Sequence, residues 1–157
     1  MASRVLKVKS ADGEIFEVEE YVAEQFEMLK NLIEYCDDDD RETPLNNVDG
    51  KTLAKMLEWG KKHADYGKGK KTEEDDAELK KWDEEFLDVH ASVLYDYIMA
   101  ANFLEIKVLL EQICDKVATM IRGKTPEQIR KILCIKNDFP PEQEEAIRKD
   151  NPWAFEQ

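Results

Sequence analysis

Val5-Leu6-Lys7-Val8-Lys9-Ser10-Ala11-Asp12-Gly13-Glu14-Ile15-Phe16-Glu17-Val18 sets the fold class, because here apolar residues recur at every second position. Val5-Leu6-Lys7-Val8 and Ile15-Phe16-Glu17-Val18 are two short alternating runs around Ser10-Ala11-Asp12-Gly13. Asp-Gly supplies the positive φ of a tight turn, and β-branched and aromatic residues suit a half-buried pleated surface. The stretch predicts a β-hairpin with one face on a core. From Glu19 the period changes to a helical one, with Val22, Phe26, Leu29, Leu32, Ile33 and Cys36 on one face. A break near residues 25–28 divides it into two short helices. A hairpin followed by helices implies a mixed α/β (α+β) fold.

Further along, Pro44-Leu45-Asn46-Asn47-Val48 reads as a short strand feeding a helix capped by Asp49, whose carboxylate can accept first-turn N–H groups. Leu53, Met56, Leu57 and Gly60 line its inner face. Asp37 to Asp40 repel one another and read as a hydrated loop rather than a functional patch. Residues 67–76 offer no apolar side chain to offset ordering entropy and are expected to form a mobile linker. Trp82, Phe86, Leu87 and Val89 then anchor a short segment. Two helices follow, one marked by Val93, Leu94, Tyr97, Ile98 and Ala101, the other by Ile106, Leu109, Leu110, Ile113, Cys114, Val117, Met120 and Ile121. Gly123 suits a left-handed helix end, and Thr125-Pro126-Glu127-Gln128 is a capping box with Pro at the first helical position. That helix should end at Leu133, and Asn137-Asp138-Phe139-Pro140-Pro141 breaks the chain before a charged helix at about 142–149. Neither terminal helix carries enough apolar residues for its own core, and Trp153 and Phe155 have no evident intramolecular sink. These features predict a surface completed by a partner.

Composition narrows the function. Among 157 residues, 36 Asp and Glu against 23 Lys and Arg give a formal charge of -13. That surplus repels phosphate backbones and disfavours nucleic acid as a partner. The longest apolar run, Tyr97-Ile98-Met99-Ala100-Ala101, is far short of the roughly 20 residues a membrane helix needs. Met1-Ala2-Ser3-Arg4 opens no signal or lipidation pattern, so an intracellular protein is expected. Cys36, Cys114 and Cys134 are odd in number, widely spaced and set in helical patterns, and read as buried thiols. With no CxxC or HExxH and with His63 and His90 far apart, neither a metal nor any other cofactor is expected.

Ala118-Thr119-Met120-Ile121-Arg122-Gly123-Lys124-Thr125 satisfies a relaxed phosphate-loop pattern. Nucleotide binding is nevertheless disfavoured, because a phosphate loop follows a buried strand, whereas Val117, Met120 and Ile121 continue a helical face and Pro126 removes an amide. Gly67-Lys68-Gly69-Lys70-Lys71-Thr72 lacks a preceding strand and reads as a tether. There is no GxSxG, and carboxylate pairs are expected by chance at this acid content, so no catalytic residue is assigned and the chain reads as a non-enzyme.

Several segments resemble the S-phase-kinase-associated adaptors of SCF (cullin-RING, F-box) ubiquitin ligases. They are residues 10–18, Trp82-Asp83-Glu84-Glu85-Phe86-Leu87, Ala100-Ala101-Asn102-Phe103-Leu104-Glu105-Ile106-Lys107, residues 123–131 and Ile135-Lys136-Asn137-Asp138-Phe139. The Asn151-x-Trp153-Ala154-Phe155-Glu156 ending is most similar to plant members. The resemblance implies a BTB/POZ fold with two additional carboxy-terminal helices that bind the F-box. The expected layout is the first part of the BTB/POZ domain over 1–66, a flexible charged linker over 67–80, the rest of the domain over 81–122, and the F-box-binding helices and tail over 123–157.

The resemblance also implies partners: F-box proteins on one side, and on the other the cullin amino-terminal domain, with the RING subunit reached through it. The positions carried over are Tyr95, Leu110, Cys114, Val117, Leu133, Ile135, Lys136 and Trp153 for the F-box, and Asn102 and Phe103 for the cullin. For Tyr95, Leu110, Cys114 and Val117 the alternative is packing within the BTB core. The family usually has Tyr at 103, so a hydroxyl hydrogen bond of about 1 kcal/mol is lost. It more often has Phe at 95 and 133, so Tyr95 and Leu133 alter which F-boxes fit. A capping Thr usually stands at Pro140, leaving the last helix to be capped by Asp138 or held more loosely. Residence in nucleus and cytoplasm is the expected localisation. Two rivals are an elongin-C-like BTB adaptor for a different box motif, against which residues 125–157 argue, and the nucleotide-binding protein considered above.

Overall fold

The computed structural model describes residues 4–35, 41–69 and 71–155. Two readings, the buried thiol of Cys36 and the loop of Asp37 to Asp40, lie outside these residues. The hairpin forms as expected from β1 (Val5–Ser10) and β2 (Ile15–Glu19), antiparallel, with Leu6 opposite Val18 and Val8 opposite Phe16. Gly13 takes the turn at φ +87°, a conformation that costs glycine nothing because it has no Cβ. β3 (Glu42–Leu45) adds in parallel to the other side of β1, giving the order β2-β1-β3. Pro44 sits on this edge strand, where its missing N–H deprives no further strand of a bond. Val8, Ser10, Val18 and Leu45 form the buried side.

The connection from β2 to β3 carries the expected split helix, α1 (Glu20–Ala23) and α2 (Glu27–Tyr35). Its break holds Phe26, which is fully buried. α3 (Gly50–Tyr66) is capped by Asp49, which accepts the Thr52 N–H at 2.7 Å. Asp12 in the hairpin turn accepts the Gly50 N–H at 2.8 Å and the Ser10 hydroxyl at 2.5 Å, tying the turn to the start of α3. Those two bonds, the Ser10 hydroxyl first, hold the Asp12 carboxyl below its ordinary pKa.

The linker expectation for 67–80 needs correction. α4 spans Glu73–Phe86, so 73–80 are helical, and Thr72 and Asp75 close a reciprocal capping box. Four acids in the first turn complement the positive end of the helix dipole, a local stabilisation that a search for buried apolar residues overlooks. α4 docks through its last turns: the Trp82 ring stacks on Phe86, and Phe86 on Tyr97. α5 (Ala91–Phe103) is capped by His90, whose Nδ1 accepts the Ser92 N–H, and α6 (Lys107–Ile121) follows. Leu94, Tyr97, Ala101, Leu104, Ile106, Leu109 and Ile113 join Leu53, Met56, Phe26 and the sheet in one core.

α7 (Pro126–Leu133) and α8 (Pro141–Asp150) come last, with a 3-10 turn at Pro152–Ala154. The Thr125 and Gln128 box forms as expected, and Gly123 has φ +70°. α8 begins at Pro140 with no side-chain cap, Asp138 included, which is the looser of the two anticipated starts. Among the described residues, no helix is long and apolar enough to cross a membrane, and no group of three or more His, Cys, Asp or Glu is arranged to hold a metal ion.

Candidate protein-interaction surface

Neither α7 nor α8 contains a buried residue. α7 lies against α5 and α6, while α8 contacts the 3-10 turn. This carboxy-terminal lobe therefore presents large apolar side chains to solvent: Trp153 is 73% exposed and Ile135 54%, and Phe139 is also exposed. On α5, Tyr95 points outward at 62% exposure while its neighbours Leu94 and Tyr97 enter the core. The spacing of Leu110, Cys114 and Val117 puts them on one face of α6, since residues three and four apart share a face. Leu110 and Val117 are half-buried against the core, whereas Cys114 is exposed. Leu133 ends α7 half-buried, and Lys136 is exposed. For Tyr95 and Cys114 the core-packing alternative is thus excluded, whereas Leu110 and Val117 do pack against the core.

Cys114 and Cys134 correct the buried-thiol reading, as both are exposed. Cys114 follows the fully buried Ile113 but stands about 100° further round α6, and Cys134 lies just past the last residue of α7, beside the exposed Ile135. Cys134 also ends α7 in a left-handed conformation, φ +57°. The expectation that Phe155 lacks a sink is corrected too, because the Arg148 guanidinium lies 4.6 Å from its ring centroid.

The second set of carried positions lies at the other end of α5. Asn102 is exposed, and Phe103 is half-buried against the core. Asn102 lines a cleft of about 330 Å³ with Glu27, Glu105, Ile106, Lys107 and Leu110. Leu110, carried over with the F-box set, therefore also borders Asn102.

A polar cluster at the junction of α3, α4 and α6 was not anticipated. His63 Nε2 lies 2.8 Å from Asp83 Oδ1, Gln112 donates to Asp83 Oδ2 at 3.0 Å, and the Trp59 indole N–H donates to Gln112 at 3.4 Å. Trp59 and His63 stack at 4.0 Å. The one sequence signal was the i,i+4 pair Trp59 and His63; Asp83 and Gln112 join it only through tertiary structure. All three polar side chains are partnered, so the cluster reads as the joint that docks α4.

The phosphate-loop geometry is not met. Residues 118–121 are the last turn of α6, and the Thr125 hydroxyl accepts the Gln128 N–H. Nothing in the strand-loop-helix arrangement that would cradle an anion is present at 118–125.

Comparison with known proteins agrees with this architecture. Residues 4–65 match the model of the Skp1 family tetramerisation domain and residues 107–154 that of the Skp1 family dimerisation domain. The chain is 47% identical to SKP1-like protein 11 of Arabidopsis thaliana over 157 residues, covering 99% of this chain and 100% of the relative. It is 46% identical to SKP1-like protein 1A of the same plant, with 99% and 100% covered. Identity to SKP1-like protein 1 of Oryza sativa subsp. japonica is 46%, covering 98% of this chain and 96% of the relative. The POZ-type α/β unit with its appended helices, matched along nearly the whole length by plant relatives, makes this chain a plant-like member of the Skp1 family.

Proposed function

We propose that the chain is the non-catalytic adaptor of an SCF ubiquitin ligase, gripping an F-box protein with the α5–α8 surface and a cullin amino-terminal domain near the end of α5. The observation that carries this reading is the carboxy-terminal lobe: two helices with no buried residue, bearing Ile135 and Trp153 in solvent. Such a lobe gains apolar burial only by closing on a partner. Tyr95, Leu110, Cys114, Val117, Leu133, Ile135, Lys136 and Trp153 are the F-box contacts in this proposal. Asn102 and Phe103 are the cullin contacts, and the cleft beside Asn102 gives the cullin a recess bordered by Leu110.

Function in this reading is geometry. The adaptor fixes the separation between substrate receptor and scaffold, so that substrate meets the ubiquitin-charged enzyme at a raised effective concentration. No proton or group transfer falls to this chain. Work in both nucleus and cytoplasm belongs to the same proposal.

Calorimetry of the full chain with an F-box domain, followed by addition of a cullin amino-terminal domain, tests it. A ternary complex is expected, with affinity for the F-box falling about 30-fold or more in Trp153→Ala, as for an interface anchor. A folded chain that binds neither domain would refute the adaptor role.

A further inference from the structure

How the exposed lobe keeps its shape is a separate question, because α7 and α8 have no core between them. Polar contacts join them, and Arg148 makes the shortest of these. Arg148 Nη2 lies 2.7 Å from Glu127 Oε1 in the first turn of α7, and 3.5 Å from Glu144 Oε1 one turn back on α8. Glu144 also faces Arg130 of α7 at 4.0 Å and accepts from the Asn137 amide at 3.3 Å. The Arg148 guanidinium also lies over the ring of Phe155, which follows directly on the 3-10 turn holding Trp153. One planar cation thus reaches α7, α8 and the tail, a combination for which arginine is suited and lysine is not.

We propose that Arg148 is a positioning residue, a clasp that holds α8 and the 3-10 turn on α7 and so fixes where Trp153 stands for the F-box. The proposal rests on the adaptor reading for its partner, and on the Glu127, Glu144 and Phe155 contacts for its structural part. It has a physical corollary. Arg148 and Glu127 are both open to solvent, and exposed ion pairs are weak and screened by salt. The lobe should therefore open locally far more often than the core, and more often at high ionic strength.

The test compares wild type, Arg148→Gln, Arg148→Lys and Glu127→Gln as full chains by backbone amide hydrogen exchange. Arg148→Gln is expected to speed exchange across α8 and the tail about threefold, the scale of an exposed pair, and to leave α3 and α5 unchanged. Arg148→Lys should recover only part of the protection. Salt at about 0.5 M should reproduce the effect in wild type and add little to Arg148→Gln. Unchanged exchange in α8 of Arg148→Gln would overturn the clasp.

A second arm separates positioning from simple stabilisation. Affinity for an F-box domain should fall in Arg148→Gln, yet in a Trp153→Ala background the same substitution should cost nothing further. Additive losses would overturn the positioning role even if exchange in α8 had quickened. Wild-type chain that binds no F-box domain would overturn the adaptor reading, and the exchange arm would still decide the clasp.

Discussion

Gly60→Ala should destabilise this protein, although the same change in an ordinary helix interior stabilises. Gly60 lies within α3, where alanine in place of glycine gains about 1 kcal/mol of helix propensity. A Cβ at this position would stand 2.5 Å from Phe26 Cζ and 2.6 Å from Phe26 Cε2, with Val22 Cγ1 at 3.4 Å. Carbon atoms prefer about 3.5–4.0 Å, so the ring would have to retreat by about 1 Å. Phe26 is fully buried at the break between α1 and α2, and a rigid ring in a close-packed core has nowhere to go. Overpacking of this kind costs about 1–3 kcal/mol. Displacing a fully buried ring by about 1 Å falls in the upper part of that range, about 2–3 kcal/mol, so after the propensity gain a net loss of about 1–2 kcal/mol is expected, or about 2–8 °C in Tm for a chain of this size. Urea unfolding followed by circular dichroism should move to a lower midpoint with unchanged slope. The penalty should shrink in a Phe26→Leu background, since the smaller side chain vacates the space and the two sites are in direct contact. A midpoint for Gly60→Ala at or above that of wild type would refute the claim that α3 rests on Phe26 through the missing Cβ.

Two further perturbations probe how the elements are joined. Asp12 accepts the Ser10 hydroxyl and the Gly50 N–H, which hold its pKa below 3.8 when folded. Its stabilisation is therefore complete above that value and is lost as pH falls through the lowered folded value. Wild type should be the more stable of wild type and Asp12→Asn at neutral pH, with the difference vanishing in acid; a pH-independent difference in urea midpoint would count against it. Asp83→Ala should leave His63 and Gln112 without their shared acceptor and cost about 1–3 kcal/mol. Amide exchange in α4 should quicken more than in α5, and uniform quickening would mean the cluster is not the α4 joint.

Elements set by local rules were legible without a structure. The Asp12-Gly13 turn, the Asp49 cap of α3 and the Thr125-Gln128 box each depend on residues a few positions apart, and each forms where its residues stand. The start of α4 escapes a reading of 67–76 by apolar content, because none of the described residues there is buried to mark it. Its start rests on the Thr72 and Asp75 cap and its docking on Trp82 and Phe86, at opposite ends of one helix.

The sequence by itself determined the hairpin, the helix boundaries near their caps, and the resemblance that assigns the family, because these are encoded in short-range patterns. Tertiary structure alone decided which helical faces are spare. Cys114 shares its helical period with Leu110 and Val117, yet it is exposed while both of them touch the core. The Asp83 carboxylate meets His63 across 20 residues, and Arg148 meets Glu127 across 21. No local rule encodes such pairs, since a charged residue on a helix surface is compatible with many partners and only chain packing selects one. The exposed lobe of α7 and α8 follows the same logic: its amphipathic pattern was readable, but that its apolar side chains remain uncovered is a fact of three dimensions.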